Sequence, residues 1–144
     1  METDTMGRVT VRATIENAYD LRDAERGALP TGQVRRLEVE NALVDTGATT
    51  LSVPKLLIEQ LGLTPFRARR VRTSSGPRTV QVYGAARLTI EGRDCLVDVI
   101  EVSDDCPVLI GQVPLELLDL IVDPKMQRLI ANPAHGGEHM YELY

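Results

Sequence analysis

The residues Asp45-Thr46-Gly47-Ala48 place a carboxylate where a strand ends and a glycine-containing turn begins. The apolar pair Leu43-Val44 precedes this segment, and the run Thr49-Thr50-Leu51-Ser52-Val53 follows it. We expect the strand end to hold the carboxylate partly shielded from water, where its charge is either costly or useful for acid–base chemistry. The alternative is structural, because Asp45 could simply begin the turn and accept hydrogen bonds from nearby backbone N–H groups.

Two later segments could shape a cleft around that carboxylate. Ser, Gly and Pro cluster between the strand-like runs 67–73 and 79–90, which predicts a hairpin with its tip at Thr73-Ser74-Ser75-Gly76-Pro77. The apolar run Leu109-Ile110-Gly111 ends in glycine and precedes a short amphipathic helix predicted over 114–120. Taken alone, the first segment is an ordinary hairpin and the second is a core strand that ends in a turn.

Hydrophobic periodicity and turn residues predict the elements around the acidic segment. Apolar and polar residues alternate over 7–15 and again over 33–40, which indicates two half-buried strands. The polar segment 17–32 between them is expected to be a long surface connection with a short helical turn. After the acidic segment, a helix should have Pro54 at its first position and end at Gly62 in a left-handed cap.

Short strands dominate the second half of the chain as well. They are predicted over 95–102, 121–123 and 128–130, and Gly84-Ala85 is expected to form a bulge in the strand before them. No long helices alternate with these strands, so an open parallel sheet is not expected. The predicted fold class is therefore all-β, a mostly antiparallel closed barrel with two short helices.

The length of 144 residues predicts a single domain over 1–144 with its core at about 7–131. The tail 132–144 is expected either to add a strand to an interface, through Tyr141 and Tyr144, or to be disordered. Aromatic residues make up only 3% of the chain, so the core must be aliphatic.

Composition also limits the classes of partner that the protein is expected to bind. Scarce aromatic residues and a net charge of -5 argue against nucleic-acid binding, which uses stacking platforms and basic surfaces. No apolar run approaches the roughly 18 residues that span a bilayer. The polar start Met1-Glu2-Thr3-Asp4 has no signal-peptide pattern, so we expect no membrane association and a cytoplasmic location.

The cysteines and histidines do not form a metal-binding pattern. Cys95 and Cys106 are expected to be reduced and buried, as small hydrophobic residues, and the alternative is a disulfide between them. His135 and His139 are four residues apart, but the glycines between them argue against a helix that would present both to a metal. We interpret both histidines as solvated and predict no metal and no cofactor.

The order of the three segments resembles the retropepsin-like aspartic proteases, and in particular their single-domain prokaryotic members. The likeness covers roughly residues 33–131 and rests on Leu43-Val44-Asp45-Thr46-Gly47-Ala48, the hairpin around Ser74-Ser75-Gly76-Pro77, and Val108-Leu109-Ile110-Gly111 with the helix after it. The hairpin departs from the glycine-rich retroviral flap, because Gly76 is its one glycine and Pro77 lies beside it. A stiffer, more polar flap is therefore expected.

The resemblance implies an aspartic endopeptidase that works as a homodimer on peptide or protein substrates. Asp-Thr/Ser-Gly occurs once in the chain, so a catalytic pair of carboxylates would need Asp45 from each of two copies. Thr46 would join a hydrogen-bond lattice between the two turns, while Gly47 and Ala48 complete the active-site turn. Residues 73–77 would form the flap over the substrate, and residues 109–111 the scaffold of the site.

Two alternatives stay open from the sequence. The chain could be a non-catalytic dimeric peptide-binding or dimerisation module that keeps the fold. Separately, the stretch between Glu59 and Glu91 contains no acidic residue and includes Arg67, Arg69, Arg70, Arg72, Arg78 and Arg87. The hypothesis is a basic roof that prefers acidic peptides, and the alternative is a solvated strand face.

Overall fold

The structure, a computed structural model, describes residues 8–143, and these residues form nine strands and three α-helices. In chain order they are β1 (Val9–Asn17), α1 (Ala18–Glu25), β2 (Arg36–Val44), β3 (Leu51–Pro54), α2 (Lys55–Leu61), β4 (Thr64–Thr73), β5 (Gly76–Ile90), β6 (Arg93–Val102), β7 (Leu109–Ile110), α3 (Gln112–Leu118), β8 (Leu120–Asp123) and β9 (Arg128–Ala131). Two predicted features, the strand start at Gly7 and the interface contribution of Tyr144, lie outside the described residues.

Seven of the strands form one sheet in the order β1-β2-β7-β3-β6-β5-β4. An additional antiparallel pairing of β1 with β5 returns the sheet onto itself, and β4 extends from β5 as an edge. Most pairs are antiparallel, but β2 with β7 and β3 with β6 are parallel. The predicted all-β class is confirmed, with 49% of residues in strands, although the ring of strands is not a clear barrel.

The interior is aliphatic, as the composition requires. Alternate residues of β1, β5 and β6 point inward, among them Ile15, Leu88 and Val99, each fully buried. β8 and β9 form a separate two-stranded sheet, and Leu120 and Leu129 on it belong to the same hydrophobic cluster. One continuous core therefore joins the two sheets.

The segment between β1 and β2 is more than the surface connection predicted for it. Asn17, only 2% exposed, accepts hydrogen bonds from the N–H groups of Tyr19 and Asp20, and it donates to the carbonyl of Leu61. The buried Asp20 carboxylate accepts from the backbone N–H and the guanidinium of Arg35. These contacts start α1 and fasten it to α2 and to the chain before β2.

Capping residues explain the bounds of the two later helices. Pro54 is the N-cap residue of α2 and not its first helical residue as predicted, since its backbone is still extended at φ -58 and ψ 146. Gly62 ends α2 in the left-handed conformation, as predicted, at φ 65. α3 starts two residues earlier and ends two residues earlier than predicted. Its end is set by Asp119, which adopts a left-handed C-cap conformation. No helix among residues 8–143 has the length and apolarity needed to cross a bilayer.

The tail after β9 folds back onto the end of α3. The Asp119 carboxylate, buried at 6% exposure, bonds to His135 Nδ1 at 2.6 Å and accepts from Asn132 and from the N–H of Met140. The prediction of a solvated His135 is wrong, because its side chain is 9% exposed and also meets Glu142. His139 is exposed, yet its ring bonds to the carbonyl of Leu117. No strand forms within 132–143.

Candidate active site

The Asp45 turn begins where β2 leaves the sheet. The Asp45 N–H donates to the carbonyl of Ile110 at 2.9 Å, which fixes the first residue of the turn against β7. The Ala48 N–H donates back to the Asp45 carbonyl at 3.0 Å and closes the turn. Oδ1 of Asp45 accepts from the Gly47 N–H at 3.0 Å, so one carboxylate oxygen is oriented by its own turn. Asp45 therefore does accept a hydrogen bond from a backbone N–H of its own turn, as the structural alternative predicts. This bond uses Oδ1 and leaves Oδ2 unconstrained by the turn.

β7 fastens this turn from the opposite side. It pairs parallel to β2 and antiparallel to β3, so it lies between the strands that enter and leave the Asp45 segment. The backbone N–H groups of Gly111, Gln112 and Val113 then donate to the carbonyls of Thr50, Ala48 and Thr49 at 2.9 to 3.0 Å. Leu109-Ile110-Gly111 is thus brought to the acidic turn, as the scaffold interpretation requires.

Gly111 permits this close approach. A Cβ atom built at this position would lie 2.6 Å from the backbone carbonyl oxygens of both Ala48 and Thr50. Such distances are far inside van der Waals contact, and neither obstacle is a flexible side chain. Gly47 differs, because a Cβ there would meet only Oδ1 of Asp45, at 3.2 Å.

The acidic turn faces solvent. Asp45, Thr46 and Gly47 are exposed and Ala48 is half-buried, so the partial shielding predicted for the carboxylate is not found within one chain. The reason is geometric: β7 and α3 cover the backbone of the turn from behind and leave its side chains uncovered. Among residues 8–143, the Thr46 hydroxyl has no hydrogen-bond partner, so it is available to a group from outside the chain.

The predicted flap is the β4–β5 hairpin. Its tip is shorter than predicted, because Ser74 and Ser75 alone form the turn, and Thr73 already pairs with Gly76. The Thr73 hydroxyl accepts from the Ser75 N–H at 3.1 Å and donates to the Gly76 carbonyl at 2.7 Å. Gly76 has φ 105, which suits glycine, and it begins the return strand β5, with Pro77 as the second residue of that strand. The expected bulge at Gly84-Ala85 is confirmed by the register shift between Tyr83 and Ala86.

A cavity of about 450 Å³ lies between the flap hairpin and the two residues that follow Ala48. Thr49 and Thr50 line it from the turn, Arg69 and Val82 from the hairpin, and Asp98 from β6. Apolar residues complete its wall: Ala85, Leu96, Val97, Ile100, Val113 and Leu117. The arrangement provides a largely apolar depression with a few polar groups, directly beside the carboxylate-bearing turn.

Sequence reasoning did not identify several of these lining residues. Thr49 and Thr50 could have been found, because they follow the acidic segment directly. Asp98 and Val113 could not, since they reach the cavity only through the pairing of β3 with β6 and the packing of α3. Arg69 was noted for its charge alone, without its position in the cleft.

One family and one solved structure are similar to this chain. A family model described as aspartyl protease matches residues 31–113, which is more than half of the chain and includes the acidic turn, the hairpin and the scaffold. The chain is also similar to the protease of Simian Foamy Virus (mac), with a TM-score of 0.46 and 20% identity over 76% of this chain and 93% of that one. No curated protein sequence matches the chain.

The chain therefore belongs to the aspartyl protease family. This confirms the predicted resemblance to aspartic proteases and the enzyme class, an aspartic-type endopeptidase.

Proposed function

We propose that the protein hydrolyses peptide bonds as a homodimer in which Asp45 of each subunit contributes one carboxylate to a catalytic pair. Metal-free, water-based peptide hydrolysis by aspartic proteases needs two carboxylates that share a proton. This chain supplies Asp-Thr/Ser-Gly once. A twofold axis beside Asp45 would convert one motif into two.

The observation that supports this proposal most strongly is the exposure of Asp45 on a fully fastened backbone. Its N–H is bonded to Ile110 and the turn behind it to Gly111 and Gln112, yet the carboxylate itself is exposed. A rigid turn that presents an uncovered carboxylate and an unpartnered Thr46 hydroxyl suits a second copy of the same turn. In such a dimer, Thr46 would bond across the axis and Asp45 would lose its contact with bulk water.

The chemistry then follows from the shared proton. One Asp45 carboxylate accepts a proton from a water molecule as the water oxygen attacks the scissile carbonyl carbon. The protonated partner donates its proton to the carbonyl oxygen, giving a neutral tetrahedral diol. Transfer of a proton to the amide nitrogen and breakage of the C–N bond release an amine and a carboxylic acid. The two carboxyls titrate as one unit, so neither proton belongs to one subunit.

The flap and the cavity supply the substrate site in this proposal. An extended peptide would lie between the acidic turns and the hairpin tip at residues 73–77, bonded to them by main-chain groups as an added strand. Alternate side chains would enter the cavities lined by Thr49 and Thr50. Closure of the hairpin would exclude bulk water from the reaction. No cofactor takes part.

The cytoplasm is the compartment we propose. Cys95 is buried and Cys106 is half-buried, and both thiols are free. Unpaired thiols suit a reducing compartment.

The direct test replaces the Asp45 carboxylate. Asp45→Asn should leave a folded dimer whose peptidase activity is lower by about a thousandfold or more, because the general acid and base are lost. Asp94→Asn is the matched control, since it makes the same charge change at an exposed position of β6. Full activity in Asp45→Asn, or an equal loss in Asp94→Asn, would contradict the proposal.

An experiment with mixed dimers distinguishes an active site shared by two subunits from an active site formed within one chain. Wild-type and Asp45→Asn subunits are mixed in equal amounts and allowed to exchange. The mixture should have about one quarter of the activity of wild type at the same total protein concentration, because only one dimer in four then has two carboxylates. A retained activity of one half would mean that each chain works alone.

A further inference from the structure

We propose that the cleft selects extended peptides with acidic side chains, and that Arg69 and Arg78 on the inner face of the flap hairpin recognise them. This inference rests on the proposed function, because it assigns the substrate class of the same site.

The flap hairpin has a charge opposite to that of the protein. Residues 64–83 include five arginines and no acidic residue, whereas the whole chain has a net charge of -5. All five arginines, at positions 67, 69, 70, 72 and 78, are exposed. Within the described residues 8–143, none of them lies within salt-bridge distance of a carboxylate. The hairpin therefore presents uncompensated positive charge, which attracts anionic groups.

Strand register sorts these arginines onto two faces. Arg69 pairs with Val80 and Val71 pairs with Arg78, and directly opposed residues of antiparallel strands share a face. Because Arg69 lines the cavity beside Thr49 and Thr50, the face with Arg69 and Arg78 is the inner face, toward the cleft. Arg70 and Arg72 alternate with these residues and lie on the outer face.

Two other arginines of this region have local roles. The Arg67 guanidinium lies 4.8 Å from the centre of the Phe66 ring, as in a cation–π contact. Arg87 was part of the charge pattern in the sequence, but it bonds to the Glu16 carboxylate at 2.8 to 3.0 Å, and Glu16 is 4% exposed. Arg69 and Arg78 therefore remain as the arginines that face the cleft without a partner or stacking contact.

Asp98 defines where an acidic side chain can bind. Asp98 lines the same cavity as Arg69, and no salt bridge joins the two side chains among the described residues. A substrate carboxylate is attracted by Arg69 and repelled by Asp98, so it should bind at the hairpin side of the cavity. Removal of the Asp98 charge should therefore strengthen the preference for acidic peptides.

The geometry of an extended peptide matches two arginines on one face. Side chains of a strand alternate between its faces, so every second residue of a bound peptide points toward the hairpin. A peptide with Glu at alternate positions could place one carboxylate near Arg69 and another near Arg78. Closure of the flap removes water from these pairs, which strengthens them relative to pairs on an open surface.

A binding experiment tests this without requiring cleavage. Two fluorescent decapeptides with the same apolar residues, alternating with Glu in one and with Gln in the other, are titrated into the Asp45→Asn protein. The Glu peptide should bind about fivefold more tightly, and this preference should weaken with added salt. Arg69→Gln and Arg78→Gln should each reduce the preference to less than twofold, and Asp98→Asn should increase it.

Arg70→Gln is the matched control, because it removes the same charge from the same strand on the opposite face. It should keep the preference for the Glu peptide. Equal affinity for the two peptides, no binding of either, or an equal loss of preference in Arg70→Gln would overturn the inference. Arginines that only protect an edge strand from aggregation would give this last result. Cleavage by the wild-type protein, measured in parallel, tests the proposed function separately.

Discussion

The acidic turn and the flap hairpin lie at two sides of one cavity, which Thr49 and Thr50 line directly after the turn, but the two regions are built in opposite ways. The turn at 45–48 is fastened by backbone hydrogen bonds to β7 and to the start of α3, and its neighbour Gly111 has no space for one added carbon. The hairpin is bonded at its outer end only to itself, since β4 is the last strand of the sheet and residues 64–70 are all exposed. Backbone hydrogen bonds thus hold the acidic turn from behind, whereas among the described residues the outer edge of β4 has no neighbouring strand.

This difference matches the tasks that we propose for the two regions. A catalytic carboxylate must be held in a fixed position, because a misplacement of about 1 Å can cost a hundredfold in rate. A flap must open to admit the peptide and close to exclude water, so it belongs to the less stable part of the fold. Substitutions in the turn scaffold should therefore change stability and activity together, and those in the hairpin should change activity with only a small loss of stability.

The largest effect is expected from Gly111→Ala. The new Cβ would lie 2.6 Å from the carbonyl oxygens of Ala48 and Thr50, so either the turn or α3 must move. We expect a loss of about 3 kcal/mol in the free energy of unfolding, measured by urea denaturation, together with loss of peptidase activity. The loss of activity should remain at temperatures where the variant is fully folded.

Gly32→Ala is the matched control for this substitution. A Cβ at position 32 would have nothing within 4 Å, and its φ is not in the left-handed region. Its free energy of unfolding should change by less than about 0.5 kcal/mol, as for other surface substitutions. If the two variants had equal stability, the tight packing of Gly111 against the acidic turn would be refuted.

A smaller effect on stability is expected from Thr73→Val in the hairpin. The substitution keeps the shape of the side chain and removes the hydroxyl that bonds to Ser75 and Gly76. Loss of these partly exposed bonds should cost about 1 kcal/mol or less, while kcat/KM falls severalfold because the flap tip loses its shape. Ser74→Ala, at the neighbouring exposed position, is the control. A loss of stability as large as that of Gly111→Ala would erase the contrast between the two regions.

The smallest effect that we expect is on the stability of the docked tail at 132–143 as the pH changes. Glu142 and Asp119 raise the pKa of His135 above its ordinary value of 6.5, and the His135 bond lowers the pKa of Asp119 to about 2. The protonated His135 therefore stabilises the docked tail fully below pH 6.5, and this contribution is lost as the pH rises through the raised pKa. The Asp119 contribution is present above its ordinary value of 3.8 and is lost as the pH falls toward 2.

Hydrogen exchange of the tail amides measures this pH dependence. After correction for intrinsic rates, protection of residues 133–142 should decrease as the pH rises above the pKa of His135. His135→Gln should remove this decrease, and exchange in the β4–β5 hairpin should not follow it. Protection that increases toward alkaline pH would contradict the assigned direction.

Local patterns predicted the backbone positions of three segments of the candidate site. Asp45 follows an apolar strand, Ser74 and Ser75 lie in a polar turn, and Gly111 ends an apolar run, so nearby residues alone mark all three positions. The left-handed cap at Gly62 was predictable for the same reason. Strand alternation predicted the all-β class, because the apolar residues of a half-buried strand occupy every second position of its sequence.

The contacts that local patterns missed join distant parts of the chain. In the Asp20–Arg35 pair and the Asp119–His135 pair, carboxylates that look solvated in the sequence are buried, because each bonding partner comes from a distant part of the chain. The parallel pairing of β2 with β7 has no local signal, although it brings Gly111 to the Asp45 turn. The exposure of Asp45 was also mispredicted, since a strand end does not show which side remains uncovered.

The central claim is that one catalytic site is formed by two copies of the Asp45 turn. The most direct measurement is the separation of the two Asp45 carboxylates in a crystal structure of the assembled protein. The proposed mechanism predicts nearest oxygens about 3 Å apart, with one water molecule bonded to both carboxylates. A dimer whose Asp45 carboxylates are too far apart to share a water molecule, or a monomer that cleaves peptides, would contradict it.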